Sequence, residues 1–412
     1  MGSSRCNHQG IRRARVNGKK ILIGITGGIA AYKAADVVRR LVKAGARTRV
    51  VMTEASARFV TPLTFEALSG HRVIHEMFHE GTRPMDHIAW GQDADLVIIA
   101  PATADIIGKM AHGIADDFLS TCILAATAQI MICPSMNSEM FMNPAVQHNL
   151  AQLKERGIFV MEPGAGDLAC GSEGPGRLPE PEQIVEQARM ILSRKDLSGR
   201  KILVTAGPTV EPIDPVRFIT NRSSGRMGHA LARAAVRRGA TVILVSGPTP
   251  LPPPSGLTYL PVRTAQEMKD TVFQNLDGCD MIIKAAAVSD YRPASAAVQK
   301  IKKGAERVSL ELIRTPDILA ELGSQKAESG FVLVGFAAET QDLMANAQKK
   351  LWSKHLDMIV ANDVSQEDAG FETDTNRVKL IYQDGSVDNL QLMTKDQVAD
   401  LVLDKAKGLK DG

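Results

Sequence analysis

The chain begins with a strand–loop–helix–strand pattern. Residues 20–25 form a short apolar run, and residues 29–43 have the apolar spacing of an amphipathic helix that packs on a core. Gly45 ends that helix, and residues 48–52 form a second apolar run. A strand that connects through a helix to a second strand predicts a right-handed parallel crossover, and hence a doubly wound α/β sheet.

The same pattern occurs again in the second half of the chain. It consists of an apolar run at 201–205, a long loop rich in Gly and Pro, a helix at 227–238 and a strand at 241–245. Further short apolar runs predict parallel strands buried on both faces, at 96–100, 130–133, 281–285, 331–336 and 358–361. We therefore predict an α/β protein with two Rossmann-like, doubly wound parallel-sheet domains.

The polar stretch 193–199 separates the two patterns and predicts the domain boundary. We expect a flexible tail at 1–18, a first domain at 19–197 and a second at 198–412. The tail is polar and basic and lacks the apolar core of a secretory signal. No apolar run approaches the ~20 residues that cross a bilayer, so no membrane association is expected.

Composition narrows the classes of partner. The 49 basic and 46 acidic side chains nearly cancel, and aromatic residues make up only 4%, so a nucleic-acid partner is not expected. The five cysteines are odd in number and form no CxxC pair. This pattern argues against a disulfide framework or a zinc site and favours a reducing, cytoplasmic location. The cysteines are Cys6, Cys122, Cys133, Cys170 and Cys279.

Ligands of such sheets bind beyond the carboxyl ends of the strands. After the first strand, Thr26-Gly27-Gly28 opens a helix, which suits an anion, but it is not the GxGxxG of dinucleotide sites. The second strand ends without an acidic residue and continues into hydroxyl side chains at 53–56. These features favour a mononucleotide, although a glycine turn without a ligand remains open.

Four further motifs, at 86–88, 100–105, 134–140 and 168–177, have the order and spacing of the flavin-containing cysteine decarboxylases. Residues 19–190 resemble that family, which implies a flavodoxin-like domain that binds FMN. The resemblance implies FMN contacts at Gly27, Gly28, Ile29, Thr53, Ser56, Thr103, Ala104 and Ser135. It implies that the substrate is surrounded by His87, Asn137, Met140 and Cys170.

The residue types suit decarboxylation of an acylcysteine. Oxidation by FMN would place a C=S group beside the carboxylate and so create the electron sink that loss of CO2 requires. His87 is the expected base near the thiol, Asn137 would hold the carboxylate, and Cys170 would return a proton. Taken singly, His87 could cap a loop and Cys170 could be a small buried side chain. Ser135 and Asp116 depart from the family's usual Ala and Asn.

The second half contains motifs at 206–217, 221–228, 285–291, 300–303, 316–318, 335–340 and 361–363. Residues 200–412 resemble phosphopantothenate–cysteine ligases, and the fused order resembles bacterial bifunctional enzymes of coenzyme A biosynthesis. The resemblance implies CTP contacts at Ala286, Asp290, Lys300, Pro316, Asp317, Ile318, Phe336, Lys350 and Lys354. Arg217 and Asn221 are expected to contact the substrates, with Asn221 and Lys300 catalytic.

A carboxylate forms an amide only after its oxygen becomes a leaving group, and transfer to a nucleotide α-phosphate achieves this. Lysine side chains and Mg²⁺ would offset the phosphate charge, although no metal ligand is assigned. The lysines at 300–303 could equally be a solvated charge run. Arg226 keeps the charge of the family's usual Lys but not its shape.

Two other functions remain open at this stage. One is a nicotinamide dehydrogenase, which the missing GxGxxG disfavours. The other is a regulatory subunit that retains the flavin fold without catalysis, which the presence of His87, Asn137 and Cys170 disfavours. The small-molecule substrates expected are 4'-phosphopantothenate, L-cysteine and CTP. The resemblance also implies a homo-oligomer, with trimers of the flavin domain and ligase dimers, up to a dodecamer.

Overall fold

The structure, a computed structural model, describes residues 16–77, 85–167, 173–302, 309–339, 342–363 and 375–411. The chain divides into two compact units, Met1–Ser193 and Arg194–Gly412. Of the expected tail, 16–18 is described and belongs to the folded unit. Val16 is 1% exposed, and the Gly18 N–H donates to the Gly45 carbonyl at 2.8 Å.

The boundary stretch 194–197 belongs to the second unit for a specific reason. Arg238 is fully buried, and its guanidinium donates two hydrogen bonds to the Asp196 carboxylate, at 3.0 and 2.8 Å. Leu197 is buried in the core of the same unit. The ordered part of the second unit therefore starts a few residues before 198.

The first unit is a five-stranded parallel sheet with helices on both faces and strand order β2-β1-β3-β4-β5. Its elements are β1 (Lys20–Ile25), α1 (Ala31–Lys43), β2 (Arg47–Met52), a 3-10 turn (Ser56–Arg58), α2 (Pro62–Ser69), α3 (Asp86–Asp93), β3 (Leu96–Ala102), α4 (Ala104–His112), α5 (Phe118–Ala125), β4 (Gln129–Pro134), α6 (Ser138–Met142), α7 (Pro144–Glu155), β5 (Phe159–Val160), the hairpin strands β6 (Gly164–Asp167) and β7 (Glu173–Arg177), and α8 (Pro181–Leu192).

Both faces of this sheet are buried. Ile21 and Ile23 of β1 pack in the core formed with α1 and α8, whereas Leu22 packs in the opposite core with α4, α5 and α7. Successive side chains of a strand point to opposite faces, so two buried faces require an unbroken apolar run. This is the pattern from which the strands were predicted.

The second unit is built on an eight-stranded sheet of order β12-β11-β8-β13-β16-β17-β19-β20. Its elements are β8 (Lys201–Ala206), β9 (Val210–Pro212), β10 (Phe218–Thr220), α9 (Arg226–Arg237), β11 (Thr241–Ser246), β12 (Thr258–Pro261), α10 (Ala265–Gln274), β13 (Met281–Lys284), β14 (Tyr291–Pro293), β15 (Leu312–Arg314), α11 (Ile318–Ser329), β16 (Val332–Glu339), α12 (Leu343–Ser353), β17 (Met358–Asp363), β18 (Thr375–Asn376), β19 (Val378–Tyr382), β20 (Val387–Asn389), β21 (Met393–Thr394) and α13 (Lys395–Asp411). In this sheet, β12, β11, β8, β13, β16 and β17 run parallel to one another, and β19 and β20 extend the sheet antiparallel.

The predicted doubly wound α/β class is confirmed, and each predicted buried strand lies within two or three residues of an observed one. One difference concerns the first helix, which begins at Ala31 rather than at 29. Ile29 lies in the preceding turn and is 62% exposed. The antiparallel strands β19 and β20 were not predicted, because Lys379 interrupts the short apolar run of β19, and β20 has only three residues and ends in Asp388 and Asn389.

Candidate functional site

A cavity of about 1160 Å³ opens at the carboxyl edge of the first sheet. The loops that follow β1, β2, β3 and β4 form most of its wall. It brings together nine predicted site residues, namely Gly27, Gly28, Ile29, Thr53, Thr103, Ala104, Ser135, Asn137 and Met140. Ligands of open α/β sheets bind at this edge.

The loop after β1 is tied to the loop after β3. The Thr26 hydroxyl donates to the Pro101 carbonyl at 2.7 Å and accepts from the Thr103 N–H at 3.2 Å. A Cβ at Gly27 would lie 2.6 Å from the Cβ of Ala55, so only glycine allows the first and second loops to approach this closely. No side chain caps the start of α1, which leaves helix N–H groups for an anion at the cavity.

Ser56 does not line the cavity as expected of an FMN contact. It is fully buried, and its hydroxyl donates to the Thr53 carbonyl at 2.7 Å. Its N–H donates to the Thr53 hydroxyl at 3.3 Å. Ser56 therefore shapes the turn that presents Thr53 to the cavity.

Asn137 is fixed by a helix cap. Its side-chain oxygen accepts from the N–H groups of Glu139 and Met140, at 2.8 and 3.4 Å. Because the oxygen is used in this way, the amide nitrogen is the end of the side chain that can donate to a ligand. The Met136 N–H donates to the Gly176 carbonyl at 3.0 Å, which holds β7 against this loop.

His87 and Cys170 are less directly placed. His87 is in the first turn of α3, and its ring packs edge-on against Phe118, with centroids 6.2 Å apart. Phe118 lines the cavity, so this contact places His87 next to a residue of the cavity wall. Cys170 lies outside the described residues, in the connection between the hairpin strands β6 and β7.

Sequence reasoning missed Lys109, a charged residue of the cavity wall. Its Nζ lies 2.9 Å from Asp116, 3.4 Å from Asp117 and 3.5 Å from Asp105. Burial alone would lower the pKa of Lys109, but the hydrogen bond to Asp116 and the charges of the other two carboxylates raise it above its ordinary value. Asp116, where the family usually has Asn, is thus paired with Lys109, but the cluster of one lysine and three carboxylates keeps a net negative charge.

In the second unit, the carboxyl edge gathers the loops after β8 and β13. The Thr209 N–H donates to the Ala287 carbonyl at 3.1 Å, and the Thr205 hydroxyl accepts from the Ala286 N–H at 3.2 Å. The Asn221 side-chain amide donates to the Val288 carbonyl at 3.0 Å. Asn221 and Ala286, predicted from distant segments, therefore belong to one loop cluster.

Arg217, predicted to contact the substrates, also makes hydrogen bonds within the protein. Its guanidinium donates to the Asp214 carboxylate at 3.0 and 2.6 Å and to the Ile301 carbonyl at 2.8 Å. Asp214 in turn accepts from the Ile301 N–H at 3.1 Å. Arg217 and Asp214, which we call the bracket, thus bind the carbonyl and the N–H of Ile301 and fix the backbone beside the exposed Lys300.

The Asp214 side chain is fully buried and ionised within this bracket. Burial alone would raise its pKa, but hydrogen bonds from the Arg217 side chain and from the backbone N–H groups of Val216, Arg217 and Ile301 hold it well below its usual range. A charged carboxylate that is fully hydrogen-bonded fixes loop geometry strongly.

A third group of predicted residues surrounds the start of α11. Asp317 accepts from the Ala320 N–H at 3.1 Å and pairs with Lys354 at 2.9 Å, which follows α12. Burial would raise the pKa of Asp317, but Lys354 and the Ala320 N–H lower it. Lys350 lies one turn earlier on α12, and Pro316 and the exposed Asp290 are in the adjoining loops.

Two predicted CTP contacts are part of the core. Ile318 is 1% exposed and packs among apolar residues of α11 and α12. Phe336 packs against the opposite core of the sheet. The Ile318 side chain therefore contributes to packing, and its backbone is the part that remains for ligand contact.

Lys284, the last residue of β13, is a second charged residue that sequence reasoning missed, because it ends an apolar run. Desolvation lowers the pKa of Lys284 to about 8.

Within the described ranges, no three His, Cys, Asp or Glu side chains cluster in a way that could hold a metal ion. None of the described helices is both long enough and apolar enough to span a bilayer.

Comparison with known families gives two matches that together cover nearly the whole chain. Residues 10–193 match the flavoprotein family, and residues 197–409 match the DNA/pantothenate metabolism flavoprotein C-terminal domain. The coenzyme A biosynthesis bifunctional protein CoaBC of Bacillus subtilis is 48% identical over 96% of this chain and 98% of its own length. The protein of the same name from Escherichia coli is 46% identical over 94% and 96%.

Solved structures are similar to the two units separately. The C-terminal domain of a coenzyme A biosynthesis bifunctional protein CoaBC is 46% identical over 53% of this chain and all of its own, with a TM-score of 0.45. A PPC decarboxylase mutant complexed with pantothenoylaminoethenethiol is 28% identical over 42% and 98%, with a TM-score of 0.38. The 48% and 46% identity to the two bifunctional proteins, over 96% and 94% of this chain, shows that the chain belongs to the family of coenzyme A biosynthesis bifunctional proteins. Its flavoprotein domain precedes its pantothenate-metabolism domain.

Proposed function

We propose that this chain catalyses two successive reactions of coenzyme A biosynthesis. The second unit joins 4'-phosphopantothenate to L-cysteine with CTP. The first unit then decarboxylates 4'-phosphopantothenoylcysteine to 4'-phosphopantetheine with FMN. The observation that carries the proposal is the cavity of the first unit, which gathers nine residues predicted from distant segments. The chain matches a bifunctional relative over 96% of its length.

The cavity residues fit FMN. The close approach at Gly27 and the uncapped start of α1 offer backbone N–H groups to a phosphate. Thr53 and Ser135 add hydroxyl groups, and Thr103 and Ala104 begin the next helix along the cavity wall. Bound FMN supplies a two-electron acceptor for oxidation of the cysteine moiety and returns those electrons to the product.

The chain's own groups orient the substrate and move its protons. The Asn137 amide, oriented by its helix cap, donates to the substrate carboxylate until CO2 leaves. His87 takes the proton of the substrate thiol. Cys170, outside the described residues, returns a proton to the decarboxylated product.

In the second unit, a carboxylate oxygen of 4'-phosphopantothenate attacks the α-phosphorus of CTP. The bond to pyrophosphate breaks and an acyl-cytidylate forms. The amine of cysteine then attacks the acyl carbon and loses a proton, and CMP leaves. Lys300, held by the bracket at Ile301, neutralises charge on the α-phosphate, and Mg²⁺ accompanies the nucleotide.

The proposal includes a cytoplasmic homo-oligomer with trimers of the first unit and dimers of the second. Three described cysteines, Cys122, Cys133 and Cys279, are free and buried, as suits a reducing compartment. Large apolar side chains are exposed at the cavity mouth, among them Ile29 and Tyr32. Mass photometry of the purified chain tests the assembly, and a single monomeric species would contradict it.

The function is tested with 4'-phosphopantothenate, L-cysteine, Mg²⁺ and CTP supplied to the purified chain. Pyrophosphate and CO2 are expected in equal amounts, with 4'-phosphopantetheine as the final product. The protein should release about one FMN per chain on denaturation, and neither NAD nor FAD. A chain that releases neither pyrophosphate nor CO2, or that releases CO2 without bound flavin, would overturn the proposal.

A further inference from the structure

Lys284 is a charged side chain in the middle of a parallel sheet. It ends β13 and is paired with Thr205 of β8 on one side and with Gly335 of β16 on the other. The residues before it in the strand, Met281 to Ile283, are fully buried. Alternation along the strand places Lys284 on the face of Ile282, which is the face covered by α10, α11 and α12.

On that face, apolar side chains lie beside Lys284 within the sheet, and charged side chains lie beyond the carboxyl end of the strand. At the neighbouring Gly335, a Cβ would lie 2.8 Å from Leu356 and 3.2 Å from Leu319, so these leucines occupy the space beside Lys284. Above, the charges that act on its ammonium belong to the ends of α11 and α12 and to the loop after β13. They are Asp317, Lys350, Lys354 and Asp290.

The balance of these charges is positive. Three ammonium groups face two carboxylates, and Asp317 is already paired with Lys354 at 2.9 Å. The Lys284 side chain makes no hydrogen bond or ion pair with any residue that the structure describes. A desolvated ammonium without a partner is costly, and such groups are normally compensated by an anion.

We propose that Lys284 binds a phosphate oxygen of the nucleotide in the second unit, as a contact additional to those that the family resemblance implies. This inference rests on the proposed function, because it places a nucleotide at the same carboxyl edge. The other cations of the site, Lys350 and Lys354, lie at the end of one helix, whereas Lys284 contacts the ligand from the sheet. An anion there would complete the partly buried charge cluster.

The inference predicts a pH dependence of nucleotide binding. Desolvation holds the pKa of Lys284 near about 8, so the ligand-free side chain loses its charge above that pH. A bound anion favours the charged form of Lys284, so above this pKa the protein takes up about one proton when the nucleotide binds. The affinity should fall about tenfold per pH unit above the pKa. The nucleotide phosphates are fully ionised in this range and contribute no change of their own.

The test is calorimetric titration of the full chain with Mg-CTP, and separately with the Mg²⁺ complex of inorganic pyrophosphate, at about pH 7.5 and about pH 9.5. Bound Mg²⁺ keeps the pyrophosphate fully ionised at both pH values. The wild-type chain should bind more weakly at the higher pH, by tenfold or more. Lys284→Met should bind about tenfold more weakly at the lower pH and lose the pH dependence. Lys284→Arg should retain binding at both, since arginine stays charged. Lys269→Met, which removes a lysine paired with Glu321 on α11, is the matched control and should behave as wild type.

Equal affinities and an equal pH response in Lys284→Met and wild type would overturn the inference. Folding of the variants is checked by thermal melting, where Lys284→Met should melt no lower than wild type, because it removes an unpaired charge. If that variant does not fold, the contact is tested instead by measuring the protons that the wild-type chain takes up when it binds CTP. About one proton per CTP near pH 8.5 is expected, and none would refute the contact. Pyrophosphate binding with this pH response, in a chain that does not bind CTP, would uphold Lys284 and refute the nucleotide assignment.

Discussion

The side chain of Asn137 has an acceptor end and a donor end, and the structure uses the acceptor to hold α6. This separates two properties that substitution can test independently. An aspartate at this position would still cap the helix, because Asp and Asn are equally good caps, but it would face the substrate carboxylate with a negative charge. Alanine would remove the cap at a cost of about 1 kcal/mol.

We therefore expect Asn137→Asp to keep the fold and the bound FMN but to lose decarboxylation by about 10²–10³-fold, the usual effect of losing one polar contact to a reacting group. The measurement is CO2 release from 4'-phosphopantothenoylcysteine, with flavin absorbance as the control for folding. Asn143→Asp, a comparable cap at the start of α7, should leave CO2 release unchanged. Full activity in Asn137→Asp would show that the amide does not contact the carboxylate.

Unlike Asn137, whose side-chain oxygen is hydrogen-bonded, the buried ring of His229 in α9 has no hydrogen-bond partner among the described residues. It is 0% exposed. Desolvation, with a smaller effect of Arg233, lowers its pKa. The folded state therefore holds the neutral ring, and the unfolded state takes up a proton below about pH 6.5.

This predicts that His229→Phe stabilises the chain, by about 1–2 kcal/mol at neutral pH, through removal of unsatisfied buried nitrogens. The gain should grow as the pH falls below about 6.5, because only wild type is destabilised by protonation of the unfolded chain. Denaturant titrations of both proteins at several pH values measure it. A variant less stable than wild type at every pH would mean that His229 makes a contact that phenylalanine cannot replace.

At the scale of elements, function depends on how loops are tied to one another. The bracket of Asp214 and Arg217 holds Ile301, which is distant in sequence. Asp214 accepts from the Ile301 N–H, and Arg217 donates to the Ile301 carbonyl. Lys300 is adjacent and exposed. The buried carboxylate of Asp214 therefore sets the position of the backbone that carries Lys300.

Replacing Asp214 with Asn keeps its size but removes the charge that holds Arg217. We expect the ligase kcat to fall about tenfold or more, since small misplacements of a catalytic group are costly. CTP affinity should change little. Asp384→Asn, which alters a carboxylate in the exposed turn between β19 and β20, should have no effect.

The decisive measurement for Asp214 is a double variant. If Asp214 acts by positioning Lys300, Asp214→Asn should add almost no further loss of pyrophosphate release to Lys300→Gln. Additive losses in the double variant would instead indicate a general effect on the fold of the second unit.

At the scale of the whole molecule, each unit has its own sheet, cores and carboxyl edge. The described residues that line the large cavity all belong to the first unit, and Asp214, Lys284 and Lys300 all belong to the second. The two chemistries should therefore be separable by single substitutions in the full chain.

With 4'-phosphopantothenate, cysteine and CTP supplied, Asn137→Asp should release pyrophosphate at the wild-type rate and accumulate 4'-phosphopantothenoylcysteine. Lys300→Gln should release about 10²–10³-fold less pyrophosphate yet decarboxylate added 4'-phosphopantothenoylcysteine normally. Chromatography of the reaction products distinguishes the two. Loss of both activities in either variant would contradict independent sites.

The sequence by itself determined the class of fold and the edge where the sites lie. Parallel strands buried on both faces need unbroken apolar runs, and these are legible at 20–25 or 201–205 without any tertiary information. The glycine loop at 26–28 was predicted to bind an anion from its place between a strand and a helix, whereas the roles of Asn137 and Asn221 were predicted from the family resemblance of their motifs.

Only the tertiary structure decided which side chains work together. The fold pairs Arg217 with Asp214 and with Ile301, and it places the Ser56 hydroxyl inside a turn, and neither contact could be predicted from the sequence. Lys109 and Lys284 are inconspicuous in sequence because their character comes from burial and from charges on other elements. The physical reason is that desolvation and Coulomb interaction depend on distance in space, which the order of residues does not record.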